Sequence, residues 1–279
     1  MRKIIALLVV AAVLATAYWV YQEQGGGNPL AFLKQYVENG EVATFKARYT
    51  PEQLMETHYK ELLANENHSF ESSETKFYPY LLMEVKYTQP DKRSREGVLL
   101  WSLVDGEMVL NTSTWEKTHG YRDAIEAGAN RNDFRLMQAL AKSKGTANSE
   151  QLEKELHVDK EMLQSWIESA VAKHLIVKRG SEYQLHFQDP KLIISPETKM
   201  SEGLVKKPYS FSQRLSKRYS QNQIEKISKA AFGDDFTIRT ATEVFLPTYK
   251  INVVNPDGSI SSTWWNAITG QLIPTRIGE

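Results

Sequence analysis

Cysteine is absent from all 279 residues, which excludes disulfides, thiolate zinc sites and cysteine nucleophiles together. It also removes any lipobox, so lipid attachment of that kind is out. Net charge is missing as well: 34 basic residues balance 34 acidic ones, so no global field favours nucleic acid or an acidic substrate. No nucleophile elbow, HExxH, Walker loop or dinucleotide glycine fingerprint is present. The triple glycine Gly25-Gly26-Gly27 follows an apolar segment instead of linking a strand to a helix. The paired carboxylates Asp234-Asp235 follow a helix stop, the place of a solvated turn. His58, His68 and His119 lack metal-ligand spacing and a third ligand, so no metal and no cofactor is expected. What is abundant is core-forming material, 41% hydrophobic residues with 10% aromatics, ample for two or three packed domains.

The N-terminus carries the longest apolar run. From Ile4 to Tyr21 only Thr16 is plainly polar, and as a helix these residues would measure roughly 27 Å, close to a hydrocarbon core of about 30 Å. Tyr18, Trp19 and Tyr21 stand where an interfacial aromatic belt belongs, and Arg2 and Lys3 precede the run. The segment reads as a signal-anchor helix with a cytoplasmic N-terminus, the bulk of the chain lying outside the membrane. The rival is a cleaved signal peptide, cut near Ala15-Thr16-Ala17. Gly25 to Gly27 supply a short flexible tether, so residues 1–27 form the first unit.

Residues 28–130 read as a mixed α/β membrane-proximal domain. Thr50-Pro51-Glu52, with Gln53 three residues after the threonine, is a helix start: an N-cap hydroxyl, proline at the first helical position, and a capping-box partner. "KFYPYLLMEVKYT" (76–88), "REGVLLWSLV" (95–104) and "EMVLNT" (107–112) read as strands, the last two joined by an Asp105-Gly106 turn. "WEKTHGYRDAIEAG" closes the region as a turn and helix.

Residues 131–190 change pattern. "NDFRLMQALAKSKG" places Phe134, Met137, Leu140 and Ala141 on one helical face and stops at Gly145. Asn148 and Ser149 cap a second helix, Asp159 precedes a third, and "IVKRGSEYQLHF" is a hairpin turning at Gly180. Helix, helix, helix and wing in this order resemble the winged-helix superfamily. That resemblance implies a module used on DNA or on proteins. The third helix decides against DNA, because Lys160, Glu161, Glu168 and Lys173 sum to zero and no basic reading face exists.

Residues 191–221 read as a basic linker. Between Lys191 and Lys229 nine basic residues face three acidic ones, and Lys206, Lys207, Arg214, Lys217 and Arg218 interleave with Tyr209, Phe211 and Tyr219. Such a stretch suits anionic lipid, an acidic partner or nucleic acid. Residues 222–279 then read as a helix followed by a small antiparallel sheet, with Asn255-Pro256-Asp257-Gly258 as a strong turn. "PTYKINVV", the Asp257-Gly258 pair and "NAITGQLI" resemble the PepSY domain family, with Asn266 where that family usually has aspartate. The resemblance implies an extracytoplasmic interaction or peptidase-modulating module, with no catalytic residues to carry over. Trp264 and Trp265 are adjacent in a strand and so point to opposite faces; one of them is expected to need cover from another domain or a partner.

The expected fold class is therefore α+β: a transmembrane helix, a mixed α/β domain, a winged-helix-like domain and a PepSY-like domain in series. The expected function is that of a membrane-anchored, extracytoplasmic protein-interaction or regulatory module, non-enzymatic, with an envelope protein as partner. Its contacts are expected at Trp264, Trp265, Lys206, Lys207, Arg214, Lys217 and Arg218. A membrane-tethered DNA-binding regulator and an envelope enzyme without a local motif are the alternatives.

Overall fold

The computed structural model describes residues 41–63, 67–89, 91–208 and 213–274. Two long strands frame it: β2 (Ser69–Thr88) and β10 (Thr237–Val254). They pair antiparallel along nearly their whole length, from Thr237↔Lys86 to Val254↔Ser69. The remaining strands of this sheet are β1 (Glu41–Phe45), β3 (Ser94–Ser102), β4 (Met108–Asn111), β5 (Glu116–Lys117), β9 (Leu204–Pro208), β11 (Ile260–Asn266) and β12 (Leu272–Ile273). Their order is β12-β11-β10-β2-β3-β4-β5. Since β2 occupies one edge of β10, the other edge is shared: β1 pairs parallel with it at Thr44↔Phe245, and β11 takes over from Thr248 onward. β9 then pairs antiparallel with β1.

Proline positions explain why such long strands tolerate Pro79 and Pro247. The Pro247 carbonyl accepts from Ala267 N–H, so its missing N–H also faces the edge where β1 hands over to β11. The Pro79 carbonyl accepts from Leu103 N–H, and β3 begins pairing with β2 only at the next residue, Tyr80. Neither proline therefore costs a ladder bond.

Side-chain alternation sorts the core. Leu81, Met83, Val85 and Tyr87 lie with Leu99 and Trp101 on the face covered by helices. Tyr80, Leu100, Val109, Val244 and Leu246 lie on the opposite face with Phe45 and Ile268. Helix α1 (Pro51–Thr57) begins with the expected capping box of Thr50 and Gln53 and buries Leu54; α2 (Tyr59–Leu62) continues from it. Leu54 and Leu62 pack on Tyr249, Ile251 and Trp265.

The helical layer begins with α3 (Tyr121–Glu126), followed by α4 (Arg131–Lys142), β6 (Thr146–Asn148), α5 (Ser149–Leu156), α6 (Lys160–Ala172), β7 (Ile176–Arg179) and β8 (Glu182–Leu185). Capping boxes start α4 at Asn130 and α5 at Asn148, and the Asp159 carboxylate accepts from Met162 N–H to start α6. The three short strands form a separate sheet in the order β6-β8-β7. Helix α7 (Gln221–Phe232) is joined to this layer by Arg131, whose guanidinium donates to the carbonyls of Ala230 and Ala231 at the helix end.

Three sequence expectations need correction. The described residues form an α+β fold with a mixed sheet, and the units expected in series are not independent bodies. Among the described residues no helix is long and apolar enough to cross a membrane. The longest, α6, has 13 residues and an exposed polar face; the expected span, with Arg2, Lys3, Tyr18, Trp19 and Tyr21, lies outside the described residues. Second, the strands assigned to a C-terminal sheet have no separate sheet: β10 pairs with β2, and "FTIRTATEVF" and "TYKINVV" are one continuous strand. Third, residues 191–203 are built into the body rather than linking bodies. Leu192 and Thr198 are buried, the Thr198 hydroxyl donates to Val109 carbonyl at 2.6 Å, and it accepts from Leu100 N–H at 2.9 Å. This strap seals the β3–β4 junction, where register pairing covers only Leu100↔Val109 and Trp101↔Met108.

Candidate functional site

The two tryptophans point to opposite faces, as strand geometry requires, and both are buried within the chain: Trp264 is 5% and Trp265 1% exposed. Trp265 lies under α1 and α2, its ring 4.3 Å from that of His58, and its indole N–H donates to the Thr263 hydroxyl. Trp264 meets Tyr78 edge-on at 6.0 Å, with the Lys250 ammonium 5.9 Å from its ring. Neither offers an open contact surface.

The five basic residues do not converge. Arg214 and Lys217 both bind the buried carboxylate of Glu243 on β10, and Arg218 pairs with Glu126 at 2.8 Å. Burial pulls the Lys217 ammonium below its ordinary range, against the raising effect of Glu243. These three charges fasten the segment before α7 to the sheet and helix α3. Lys206 and Lys207 remain exposed on β9, opposite Ala43 and Val42 of β1. Successive residues of a strand face opposite ways, so these two do not form one patch.

Two polar clusters near β4 hold the fold. The Lys117 ammonium lies 2.5 Å from Asp105. Burial pushes the Asp105 carboxyl up, but the neighbouring Lys117 and the Ser102 hydroxyl hold it below the ordinary carboxylate range. Lys117, which burial pulls down, is raised by Asp105 and Tyr80. Glu107 is buried beneath α3 and accepts from the Thr118 hydroxyl at 2.6 Å and from the N–H groups of Gly120 and Arg122 at 3.1 Å. Burial raises its carboxyl, while these bonds pull the other way. With its acceptor positions filled by backbone and hydroxyl donors, Glu107 serves as a helix-start acceptor. Among the described residues no three His, Cys, Asp or Glu side chains are placed to hold a metal ion.

An open recess lies between α6 and the β7–β8 hairpin. Gln164, Glu168, Val171 and Ala172 recur at i, i+4, i+7 and i+8, so they share one face of the helix. Lys178 and Tyr183 stand across from them on the hairpin, whose tight turn at Gly180 has φ +64°. Together with Ile167 they border this recess, whose volume is about 320 Å³. Its floor is apolar: Ile167, Val171, Ala172 and the Tyr183 ring. Its walls carry opposite charges. The Gln164 amide donates to Glu168 at 2.8 Å and fixes that carboxylate, and the Lys178 ammonium sits 5.9 Å from the Tyr183 ring. Among the described residues neither Glu168 nor Lys178 forms an ion pair. Sequence reading counted Glu168 among the cancelling charges of the third helix and did not bring these residues together as a site. Val171 is left 37% exposed there, which the sequence pattern of the helix does not reveal.

Comparison with protein-family models, with curated proteins and with solved structures finds no match to this chain.

Proposed function

We propose that this chain is a protein-interaction module of the cell envelope that recognises its partner through the groove between α6 and the β7–β8 hairpin. The observation that carries this reading is the groove's chemistry: an apolar floor bordered by one carboxylate and one ammonium without ion-pair partners among the described residues. Such a surface gains on association by covering apolar area and matching both charges at its rim. The winged-helix-like reading of the unit draws support from the helix–strand–helix–helix–strand–strand order and from the small sheet order β6-β8-β7. Protein is favoured over nucleic acid because the exposed face of α6 offers Lys160 against Glu161 and Glu168, and phosphate contacts require an excess of cations there. Placement at the envelope rests on the apolar run from Ile4 to Tyr21 behind Arg2 and Lys3.

A photo-reactive amino acid at Val171 should give a discrete protein adduct in cells, one that Lys178→Glu abolishes. The same group at Glu150, exposed on α5, should give none. Equal adducts at both positions, or none at Val171, sink the reading. Location is checked separately by Ser181→Cys, an exposed position beside the hairpin turn in a chain without other cysteines. Labelling of intact cells by a membrane-impermeant maleimide is expected; protection until lysis would refute the envelope placement and make DNA binding the next assay.

A further inference from the structure

We propose that the uncovered edge of β2, residues 69–75, takes up an extended basic peptide segment of another protein as an additional strand, at a surface separate from the α6–hairpin groove. β10 pairs with one edge of β2 down to Ser69, whereas β3 pairs with the other only from Thr88 to Tyr80. Phe77 then meets Arg214 in an isolated parallel bridge. Among the described residues nothing pairs with this second edge between Ser69 and Thr75. Two bonds show which backbone groups it presents. The Phe77 carbonyl accepts from Leu215 N–H and the Pro79 carbonyl from Leu103 N–H, and neither donor belongs to β10. Along an antiparallel pair, successive residues turn their backbone groups alternately toward the partner and away from it. Thr75 and Ser73 therefore also face away from β10, each with an N–H and a carbonyl. The irregularity between Asn252 and Val253 lies beyond Ser72 and leaves this alternation intact.

The sheet's other open edges are blunted. β5 and β12 have two residues each, the uncovered part of β11 is the stub from Ile260 to Thr263 beside a tight turn, and β9 ends in Lys206, Lys207 and Pro208. Shortness, lysine and proline are the devices that keep foreign strands off an edge. The β2 run has none of them: residues 69–75 contain neither lysine nor proline, and Ser69 and Glu71 to Glu74 are exposed. Outward N–H and carbonyl groups at every second residue match an extended backbone, as in strand addition to a sheet. Side chains then set the chemistry of the occupant. Glu71 and Glu74 are the charged residues of the run; Glu71 has no ion pair among the described residues, and Glu74 meets Lys76 at 3.0 Å. Opposite charges attract across neighbouring strands and like charges repel, while hydroxyl side chains pair with one another. The occupant accordingly brings lysine or arginine to the glutamates and hydroxyl residues to Ser73 and Thr75.

The probe is a short peptide of alternating threonine and lysine, added to the full-length chain in mild detergent, with amide hydrogen exchange as the readout. The Ser73 and Thr75 amides should slow at least about tenfold, while Ser72 and Glu74, already bonded to β10, should not change. The same peptide N-methylated along its backbone should leave Ser73 and Thr75 fast, and so should a peptide with glutamate in place of lysine. Thr75→Pro removes an outward N–H that β10 does not use, so the thermal melt should hold while the peptide loses its effect. Glu74→Pro removes a bond to β10 and should lower the melt. The exchange pattern of the unsubstituted chain needs neither variant to fold. No slowing at Ser73 and Thr75, or equal slowing by the glutamate or N-methylated peptide, overturns the proposal. So does slowing that appears with rising protein concentration and no peptide, because a second copy would then fill the edge.

Discussion

Asp105 and Lys117 bring a pH dependence to the turn between β3 and β4. The Asp105 carboxyl is held below its ordinary range, so its contribution is complete above the unfolded value of about 3.9 and is lost as pH falls through the folded value. Lys117 is raised, so its contribution is complete below about 10.4 and is lost only as pH rises beyond that. Between those limits Asp105→Asn should cost about 1 kcal/mol, discounted because roughly a third of the side chain is exposed. Urea denaturation at pH 7 and at about pH 3 should show that gap and then its narrowing; a gap that does not shrink in acid would mean the pair is not its source. Tyr121 gives the opposite kind of prediction. Its ring packs edge-on against Trp101 at 5.2 Å, but its hydroxyl is buried without a hydrogen-bond partner among the described residues. Tyr121→Phe keeps the ring and removes the stranded hydroxyl, so stability should rise by about 1 kcal/mol, read as a higher midpoint at unchanged slope.

At the scale of elements, Thr198 is the test of the strap. Thr198→Val keeps shape and leaves Leu100 N–H and Val109 carbonyl without their buried hydroxyl partner, at a cost of about 3 kcal/mol. Hydrogen exchange at Leu100 should accelerate; unchanged exchange would show that the strap merely lies on the sheet. The same strap marks where sequence reading stops. Helix starts at Thr50, Asn148 and Asp159 and turns at Gly106, Gly180 and Gly258 were legible, because caps and positive φ are local chemistry. Pairing of β2 with β10 was not, because alternation tells a strand which face is buried and nothing about its neighbour. Residues 191–203 carry a proline and four charged side chains, so they resembled a linker; Leu192 and Thr198 are too few to announce burial. For the site, adjacency in a strand correctly separated Trp264 from Trp265 but could not show that α1 and α2 cover one of them. The groove itself needs two elements brought together by folding, and neither half is distinctive alone.

For the molecule as a whole, one continuous sheet ties early sequence to late sequence. Residues 222–279 expressed alone lack β2, the partner of β10 along nearly its full length, and should show no cooperative melt by circular dichroism. A folded fragment would restore the idea of a separate C-terminal domain. The intact chain should unfold in one urea transition, coincident by tryptophan fluorescence and circular dichroism, because the sheet and the helices share a core. The pairing of β2 with β10 also has a consequence in time. During synthesis β2 and β3 emerge as a hairpin, but Thr237 follows Thr88 by about 150 residues, which at about 5–20 residues per second means a wait of roughly 7–30 s. For that interval a 20-residue strand displays Phe77, Tyr80, Leu81 and Met83 beside an unfilled edge. β1, leaving the ribosome earlier still, waits for the same strand. Until that one late strand arrives the newborn chain carries an open, apolar strand edge, so the central pair of its sheet cannot be completed before residue 254 has been made.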